Sequence, residues 1–429
     1  MIKSYRQLAL HWQILIALVL AVIAGVLSGK DAGLLGISFY QLYDFFGTLF
    51  LNALKMLIVP LIVSSIVVGM MGIGSGETLG RLGGKTLAYY ATTSLLAILT
   101  GLIIVNLTSP GIIDGVPAKD IIGLNELPVH ISEKVEGKSG SDIVAVFLRM
   151  VPTNIVAAAA EGKMLGLIFF SLLFGYFLTR IEEPQGTTLK NFWQGVLDVM
   201  MEMTDWVMKF APIGVFALVA KVMATAGLDA FKPLMIFFFT VLLALGVHFI
   251  FTMSLILKYI AKVKPKRHFQ AMSPALLTAF STSSSSATLP LTMDCVEQRA
   301  GVSNKVSSFT LPLGATVNMD GTALYECVAA MFIAQAYGLE LSFTTQFMIV
   351  LVALVTSLGV AGIPSASLVA ISIILTTIGL PMEAVGLILA VDRVLDMCRT
   401  AVNVFSDSVA AVVIARLEGE EGILQEDKL

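Results

Sequence analysis

The segment AVDRVLDMCRTAVNVFSD, residues 390–407, lies inside a long apolar run and carries polar residues at helical spacing. Five of them recur at intervals of four, three, four and four: Asp392, Asp396, Arg399, Asn403 and Asp407. These intervals place all five on one helix face. Each charge at the centre of a membrane helix costs about 2.5–3.5 kcal/mol, so four unpaired charges would cost on the order of 10 kcal/mol. The face is therefore expected to line a wet or occupied cavity.

A purely structural role for this face is the alternative, in which Asp396 and Arg399 pair as an internal ion pair. Counting along the face gives three acids against one base. The spare negative charge favours a site for a cation or an amine.

The composition is that of an integral membrane protein. Of the 429 residues, 57% are hydrophobic and only 13% are charged, against roughly 25% charged in soluble domains. The net charge of −3 is too small to indicate nucleic acid as a partner. Three cysteines form no spaced pair, so neither a disulfide framework nor a zinc site is expected.

Eight apolar runs are long enough to cross a membrane, which takes about 20 residues. The fourth and fifth runs exceed one crossing and are expected to tilt or break, with Pro152 and Gly162 as candidate break points. The polar stretch between Pro110 and Asp142 is expected to be an external loop. Lys and Arg cluster after alternate runs, which predicts that both termini face the cytoplasm. The runs lie near 11–29, 43–72, 86–109, 143–179, 190–225, 232–264, 304–337 and 384–416.

Two further segments, 269–299 and 345–381, are apolar but are interrupted by small and helix-breaking residues. Matched broken segments in two halves indicate a transporter binding site, and irregular backbone at membrane depth must be buried or line a cavity. We predict two re-entrant hairpins, with ordinary hairpins packed through small residues as the alternative. A polar helix motif follows each by 28 residues: Asn318 after Pro290 and Asp392 after Pro364.

The motif Asn318-Met319-Asp320-Gly321-Thr322 interrupts the seventh run. Glycine is a poor helix former and such a string is typical of a loop, so the helix is expected to unwind here. The freed carbonyls, with Asn318 and Asp320, are hard oxygen donors that suit an alkali cation better than zinc or copper. The serine run at 283–286 offers hydroxyl and amide groups that suit a carboxylate.

Enzyme motifs fit poorly. Gly84-Lys85-Thr86 resembles the end of a phosphate loop, but Leu79 stands where that loop needs glycine. Neither a zinc-protease nor a serine-hydrolase motif occurs. His248 is isolated in an apolar helix and is interpreted as a packed core residue. The chain is therefore not expected to be an enzyme.

Several motifs together resemble the glutamate transporter family. These dicarboxylate/amino acid:cation symporters include archaeal aspartate transporters and human excitatory amino acid transporters. The resemblance covers nearly the whole chain and is most specific after about residue 269. The motifs are SSSSATLP at 283–290, NMDGT at 318–322, GVAGIP at 359–364, and DMCRT at 396–400 with Asn403 and Asp407.

The resemblance implies an all-α integral membrane protein with eight transmembrane helices, two re-entrant helical hairpins and inverted repeats. It further implies a homotrimer in the lipid of a prokaryotic inner membrane, an elevator-type mechanism and the second hairpin as gate. The implied division places scaffold helices 1 and 2 at 1–72, helix 3 of the transport domain at 73–110, the external loop and scaffold helices 4 and 5 at 111–225, and the rest of the transport domain at 226–429.

For the substrate, the resemblance implies aspartate or glutamate. Arg399 would bind the side-chain carboxylate in bidentate fashion, and Asp396 would bind the α-ammonium. A neutral substrate would leave the charge of Arg399 unmatched. Hydroxyl, amide and backbone groups would supply the remaining contacts: Ser284, Ser285, Ser286, Thr322, Val360, Ala361, Gly362, Pro364, Thr400 and Asn403.

The resemblance also implies sodium as the coupling ion, at three sites. The first comprises Gly314, Asn318, Asn403 and Asp407. The second comprises Thr316, Met319, Ser357 and Leu358. The third comprises Tyr90, Thr93, Ser94, Asn318 and Asp320.

Glu326 shares a helix face with Thr322 and has no basic neighbour within one turn. Desolvation favours the neutral form of such a carboxyl, which makes Glu326 a candidate proton carrier. The resemblance agrees, because human members carry a proton on a glutamate at this position. The alternative is a buried acid that is hydrogen-bonded to a neighbouring helix.

Three positions depart from the family pattern. Ser283 stands where archaeal members have arginine, and Met397 where human members have one. Arg393 lies one turn before Met397 and could place its guanidinium nearby. Val360 stands where archaeal members have a threonine that contributes to a sodium site. A proton-coupled glutamate or C4-dicarboxylate symporter stays open as an alternative, as does an ion channel or receptor-like sensor.

Overall fold

The computed structural model describes residues 10–34, 36–71, 77–122, 148, 151–161, 164–227, 231–339, 341–357, 366–380 and 385–424. These ranges are largely helical. The helices are α1 (Leu10–Ser28), α2 (Phe39–Met71), α3 (Glu77–Thr108), α4 (Lys119–Ile122), α5 (Ile155–Ala160), α6 (Met164–Leu178), α7 (Gln185–Met208), α8 (Ala211–Ala226), α9 (Phe231–Val247), α10 (Met253–Tyr259), α11 (Pro265–Thr282), α12 (Ser285–Asp294), α13 (Asn304–Val317), α14 (Asp320–Ala336), α15 (Phe343–Ser357), α16 (Ala366–Ile378) and α17 (Val385–Leu417).

Short irregular elements join some of these helices. The π-helical turn His248–Thr252 links α9 to α10, and Cys295–Arg299 extends α12. Two antiparallel ribbons occupy connections: β1 (Gly33–Leu34) with β2 (Ile37–Ser38), and β3 (Ile112–Ile113) with β4 (Val116–Pro117).

Length and apolarity identify spans that could cross a membrane. Helices α7 and α8 could form a further span, bent by 53°, which confirms the predicted break in the fifth run. Pro152 precedes α5, and Gly162 lies outside the described residues. The number of crossings stays a prediction. Four described spans pass by themselves: Phe39–Met71, Leu82–Thr108, Phe231–Tyr259 and Val391–Leu417.

The outer faces of the helices are apolar. Phe239, Phe251 and Leu277 are 63%, 64% and 69% exposed. Large exposed apolar surfaces are unusual for a protein surrounded by water, whereas helices whose backbone groups bond internally suit lipid. This is the surface of a helical membrane protein, as the composition predicts.

The helices pack mainly in two groups, which meet where α8 packs against α17 and α6 against α15. In one, α8 packs along α1 and α2, and α2 also packs against α6 and α7. In the other, α14 packs against α3, α9, α15, α16 and α17, while α17 also packs against α11 and α13. Every residue of α14 except Gln335 is buried. The polar motifs of α14 and α17 therefore face each other inside the second group.

The interruption in segment 269–299 is a tight helical hairpin. Ser283 has φ = 53° and ends α11 in the left-handed conformation. Ser284 caps α12, with its side chain accepting a hydrogen bond from the Ala287 amide at 3.2 Å. Helices α11 and α12 pack against each other. Helices α15 and α16 form a second packed pair, whose connection at 358–365 lies outside the described residues.

The predicted unwinding in the seventh run is confirmed. Helix α13 ends at Val317 and α14 begins at Asp320. Asn318 has φ = −103° and ψ = 95°, and Met319 has φ = −121° and ψ = 59°. The break leaves backbone groups at two helix ends without intrahelical partners, beside the polar face of α17.

Candidate functional site

The polar face of α17 is buried, as the cost of charge in lipid requires. Arg399 is fully buried, and its Nη1 and Nη2 donate to Asp392 Oδ1 at 2.9 Å and Asp396 Oδ1 at 2.8 Å. Its guanidinium carbon lies 3.9 Å from the centre of the Tyr325 ring on α14. The arginine is thus held by two carboxylates and an aromatic face.

The count of three acids against one base along the face leaves out Arg393, which the structure brings to the same carboxylates. Arg393 is also buried, and its Nη1 lies 3.4 Å from Asp396 Oδ2. Two guanidinium groups therefore balance the carboxylates of Asp392 and Asp396. The Nε atoms of Arg393 and Arg399 have no hydrogen-bond partner among the described residues, which leaves donor capacity for an incoming carboxylate.

Asn403 joins α17 to the start of α14. Its Oδ1 accepts hydrogen bonds from the amides of Gly321 at 2.8 Å and Thr322 at 3.3 Å. Its Nδ2 donates to Thr322 Oγ1 at 3.1 Å. The side chain thereby satisfies amides that the first turn of a helix leaves unpaired. Thr400 lies on the same helix, and its hydroxyl donates to Asp396 O at 2.8 Å.

A second buried acidic cluster surrounds the break between α13 and α14. Asn318 Nδ2 donates to Asp407 Oδ1 at 2.9 Å and to Ser406 Oγ at 3.1 Å. Asp320 accepts hydrogen bonds from Ser406 at 2.6 Å and from Ser94 at 2.7 Å. Asn318 is therefore bonded directly to Asp407 and is connected to Asp320 through Ser406.

This acidic cluster has the chemistry of an alkali-cation site. Asp320 and Asp407 are buried, and no ion pair with Lys or Arg is seen for either in the described part of the chain. The Asn318 Oδ1 atom is buried and has no hydrogen-bond partner within the described ranges. Two carboxylates and an unsatisfied amide oxygen are hard donors that favour a cation of this class.

Only some of the other predicted sodium ligands lie beside this acidic cluster. Tyr90 donates to Thr310 O at 2.7 Å, and its hydroxyl lies 2.7 Å from where a Cβ on Gly314 would stand. Thr93 donates to Tyr90 O at 3.2 Å. The hydroxyls of Thr316 and Ser357 bond within their own helices, and Met319 is buried. Leu358 lies outside the described residues.

The predicted substrate contacts lie partly at the first hairpin and partly outside the described residues. Ser285 is buried, Ser284 is half-buried and Ser286 is exposed at the tip of the first hairpin. The hairpin arm α12 packs against α17. Four residues of the second hairpin tip lie outside the described residues: Val360, Ala361, Gly362 and Pro364.

His248 is more than the packed core residue that the sequence indicated. It lies in the π-helical turn, is fully buried, and its Nε2 is 3.3 Å from Asp320 Oδ2. The contact joins residues 72 apart in the chain. No local pattern relates a lone histidine in one apolar helix to an acid in another, and Ser406 was missed for the same reason.

Glu326 is fully buried and contacts the second hairpin. Thr356 Oγ1 on α15 donates to Glu326 Oε2 at 2.9 Å, while Oε1 has no hydrogen-bond partner in the part of the chain that the structure describes. This hydrogen bond to a neighbouring helix agrees with the structural alternative, and it leaves the role of proton carrier a prediction. Arg399, the guanidinium on α17, is occupied by Asp392 and Asp396.

Replacing Gly321 with alanine is expected to destabilise the protein by about 1–3 kcal/mol. A Cβ there would lie 2.6 Å from the carbonyl oxygen of Arg399 and 3.1 Å from its Cα, so α14 and α17 must separate. Thermal unfolding in detergent should show a lower melting temperature. Gly84→Ala is the control, because its Cβ would meet nothing within 4 Å. Equal melting temperatures for the two variants would contradict this account.

Comparison with known proteins agrees with the resemblance. A family model described as the sodium:dicarboxylate symporter family matches residues 10–417. A proton/sodium-glutamate symport protein of Bacillus caldotenax is 36% identical, over 97% of this chain and 96% of its own. A proton/glutamate-aspartate symporter of Escherichia coli is 35% identical, over 96% and 93%. Human excitatory amino acid transporter 3 is 34% identical, over 94% and 84%. The chain therefore belongs to the sodium:dicarboxylate symporter family.

Proposed function

We propose that the chain is a secondary active symporter of acidic amino acids, aspartate or glutamate, driven by a sodium gradient with proton co-transport through Glu326. The observation that carries the proposal is the pair of buried polar clusters where α17 meets α14 and the break before it. One holds Arg399 between two carboxylates, and the other holds Asp320 and Asp407 without a Lys or Arg ion pair in the described residues. The relatives named above as glutamate symporters support the substrate class.

In this proposal the substrate enters the Arg393–Asp396–Arg399 network. The side-chain carboxylate binds the fork of Arg399, displacing at least one of its carboxylate partners. The α-ammonium binds Asp396, which the displaced guanidinium leaves with an open acceptor. Each new charge contact replaces an existing one, so the site stays electrically compensated while buried.

Sodium binding follows from the acidic cluster. The ion supplies a positive charge between Asp407 and Asp320, and Asn318 Oδ1 provides a neutral oxygen. Because Asn403 bonds to Thr322 and to the Gly321 amide, it links this cluster to the substrate site. Asn403 belongs to both the proposed substrate site and the first proposed sodium site, which supports coupling between ion and substrate.

The proposed architecture follows the family. It has eight transmembrane helices and two re-entrant hairpins, with both termini in the cytoplasm of a prokaryote. Helices α1, α2 and α6–α8 pack mainly among themselves, as do α3, α9 and α11–α17, and this supports a scaffold and a moving transport domain. We propose an elevator motion of the second group, with α15 and α16 as the gate, in a homotrimer.

Reconstitution into liposomes tests the function. Uptake of radiolabelled aspartate should require an inward sodium gradient, because the acidic cluster must be neutralised before substrate binds. Uptake driven equally well without sodium would instead support the second candidate, a proton-coupled glutamate or C4-dicarboxylate symporter. The proton-coupled relative in Escherichia coli favours retaining that candidate. Competition by succinate distinguishes the two substrate classes.

Replacing Glu326 with glutamine is expected to remove the proton from the cycle, because glutamine keeps the shape of the neutral acid but cannot ionise. An inward proton gradient should accelerate wild-type uptake and acidify the lumen, whereas the variant should show neither effect. Luminal pH dye and radiolabelled aspartate report the two quantities in the same vesicles. Equal pH sensitivity of both proteins, or no proton movement in the wild type, would leave a purely sodium-driven carrier.

A further inference from the structure

The contact between Glu326 and Thr356 joins two elements that the proposed mechanism treats separately. Glu326 belongs to the central helix α14, and Thr356 lies one residue before the end of α15, an arm of the second hairpin. Both side chains are essentially inaccessible to solvent, at 0% and 1% exposure. Among the described residues, Thr356 makes the one hydrogen bond to the Glu326 carboxyl.

The hydroxyl of Thr356 has one proton and three acceptors within reach. Its Oγ1 lies 2.9 Å from Glu326 Oε2, 2.8 Å from Val352 O and 3.1 Å from Ala353 O. When Glu326 is ionised, the hydroxyl can donate to the carboxylate. When Glu326 is protonated, the acid can donate to Oγ1 while the hydroxyl donates to a carbonyl of its own helix. The same pair therefore bonds in both states, with the donor reversed.

The two bonds differ in strength. A hydrogen bond to an ionised acceptor is roughly twice as strong as one between neutral groups. Thr356 consequently stabilises the ionised form of Glu326 more than the protonated form. After the proton has left, the carboxylate still accepts a hydrogen bond from the Thr356 hydroxyl.

The other charged groups around Glu326 are either bonded to other residues or far from its carboxyl. Arg399 faces it from α17 but is bonded to Asp392 and Asp396. Helices α15 and α16 contain no titratable residue, and α9 contains only Lys232, in its first turn. Helix α3 meets α14 at Gly101, where an added Cβ would lie 3.1 Å from Leu324. The last titratable residue of α3 is Tyr90, which lies about 16 Å from Gly101 along the helix.

We propose that Thr356 is a positioning residue that sets the pH at which Glu326 releases its proton. The inference rests on the proton-carrier role proposed above. The hairpin arm α15 thereby takes a direct part in proton binding through a single hydroxyl.

Infrared titration of the purified protein tests the inference without transport. The carbonyl stretch of the protonated acid is identified by its loss in Glu326→Gln and followed against pH. Thr356→Val removes the hydroxyl while keeping the shape, and should move the titration midpoint upward by about one pH unit, a tenfold change in the protonation equilibrium. Thr356→Ser keeps the hydroxyl and should titrate with the wild type. Thr356→Ala serves if the valine variant does not fold.

A midpoint in Thr356→Val or Thr356→Ala equal to that of the wild type would overturn the inference, and so would a wild-type band that does not titrate. A shifted band in a carrier that moves no proton would uphold the hydroxyl's effect while refuting Glu326 as the transported-proton site. In vesicles, adding Thr356→Val to Glu326→Gln should leave the pH profile of uptake unchanged. A further change in that double variant would also contradict the inference, because no ionisable partner is left for the hydroxyl.

Discussion

Replacing Arg399 with cysteine should reduce aspartate and glutamate uptake by at least about 100-fold, which corresponds to roughly 2.7 kcal/mol. Truncating one partner of a buried, hydrogen-bonded charge pair costs about 2–5 kcal/mol or more. The loss is expected mainly for acidic substrates, because the proposed partner of Arg399 is the side-chain carboxylate of the substrate. Uptake of radiolabelled aspartate, glutamate and a neutral amino acid into liposomes measures it, and neutral uptake should persist or increase.

The other contacts of Arg399 determine which controls this variant needs. Arg399 also bonds to Asp392 and Asp396, and removing the base of a buried ion pair can destabilise a protein by about 3–5 kcal/mol. Thermal unfolding must therefore be measured alongside uptake. Arg399→Lys keeps the charge but loses the planar fork, so it should show an intermediate loss. Undiminished aspartate uptake by a folded Arg399→Cys protein would refute the assignment.

Replacing Asp407 with asparagine should raise the sodium concentration for half-maximal aspartate binding at least tenfold, or about 1.4 kcal/mol. The substitution removes one full negative charge from a buried cluster in which no ion pair with Lys or Arg is seen within the described ranges. It also places an amide beside Asn318, whose Nδ2 now donates to Asp407 at 2.9 Å. Binding of labelled aspartate across a sodium series is the measurement.

A matched acid outside the acidic cluster provides the control. Asp294 ends α12 and is exposed, so Asp294→Asn changes the net charge by the same amount without altering the cluster. Its sodium dependence should equal that of the wild type. Should Asp407→Asn bind sodium as Asp294→Asn does, the carboxylate is not a sodium ligand.

The sequence allowed several local features to be predicted because they depend on neighbouring residues. Intervals of three and four residues fix which side chains share a helix face, so the buried polar face of α17 followed from residues 390–407. Glycine and polar residues at 318–322 weaken the helix locally, and α13 and α14 separate at Asn318 and Met319 as expected. The small and helix-breaking residues in segment 269–299 indicated an interruption in the same way, and the structure has it at Ser283 and Ser284.

The bonds that assemble the site were decided by tertiary packing. Ser94 meets Asp320 across 226 positions of the chain, His248 meets the same acid across 72, and Thr356 meets Glu326 across 30. Periodicity identifies the face that a helix buries but not the helix that it meets. The pairing of Arg393 with Asp396 shows the limit within one helix, since spacing permitted the contact while only the packed environment turned that guanidinium inward. Burial then makes each such bond energetically significant, because a polar group removed from water must find its partner inside the protein.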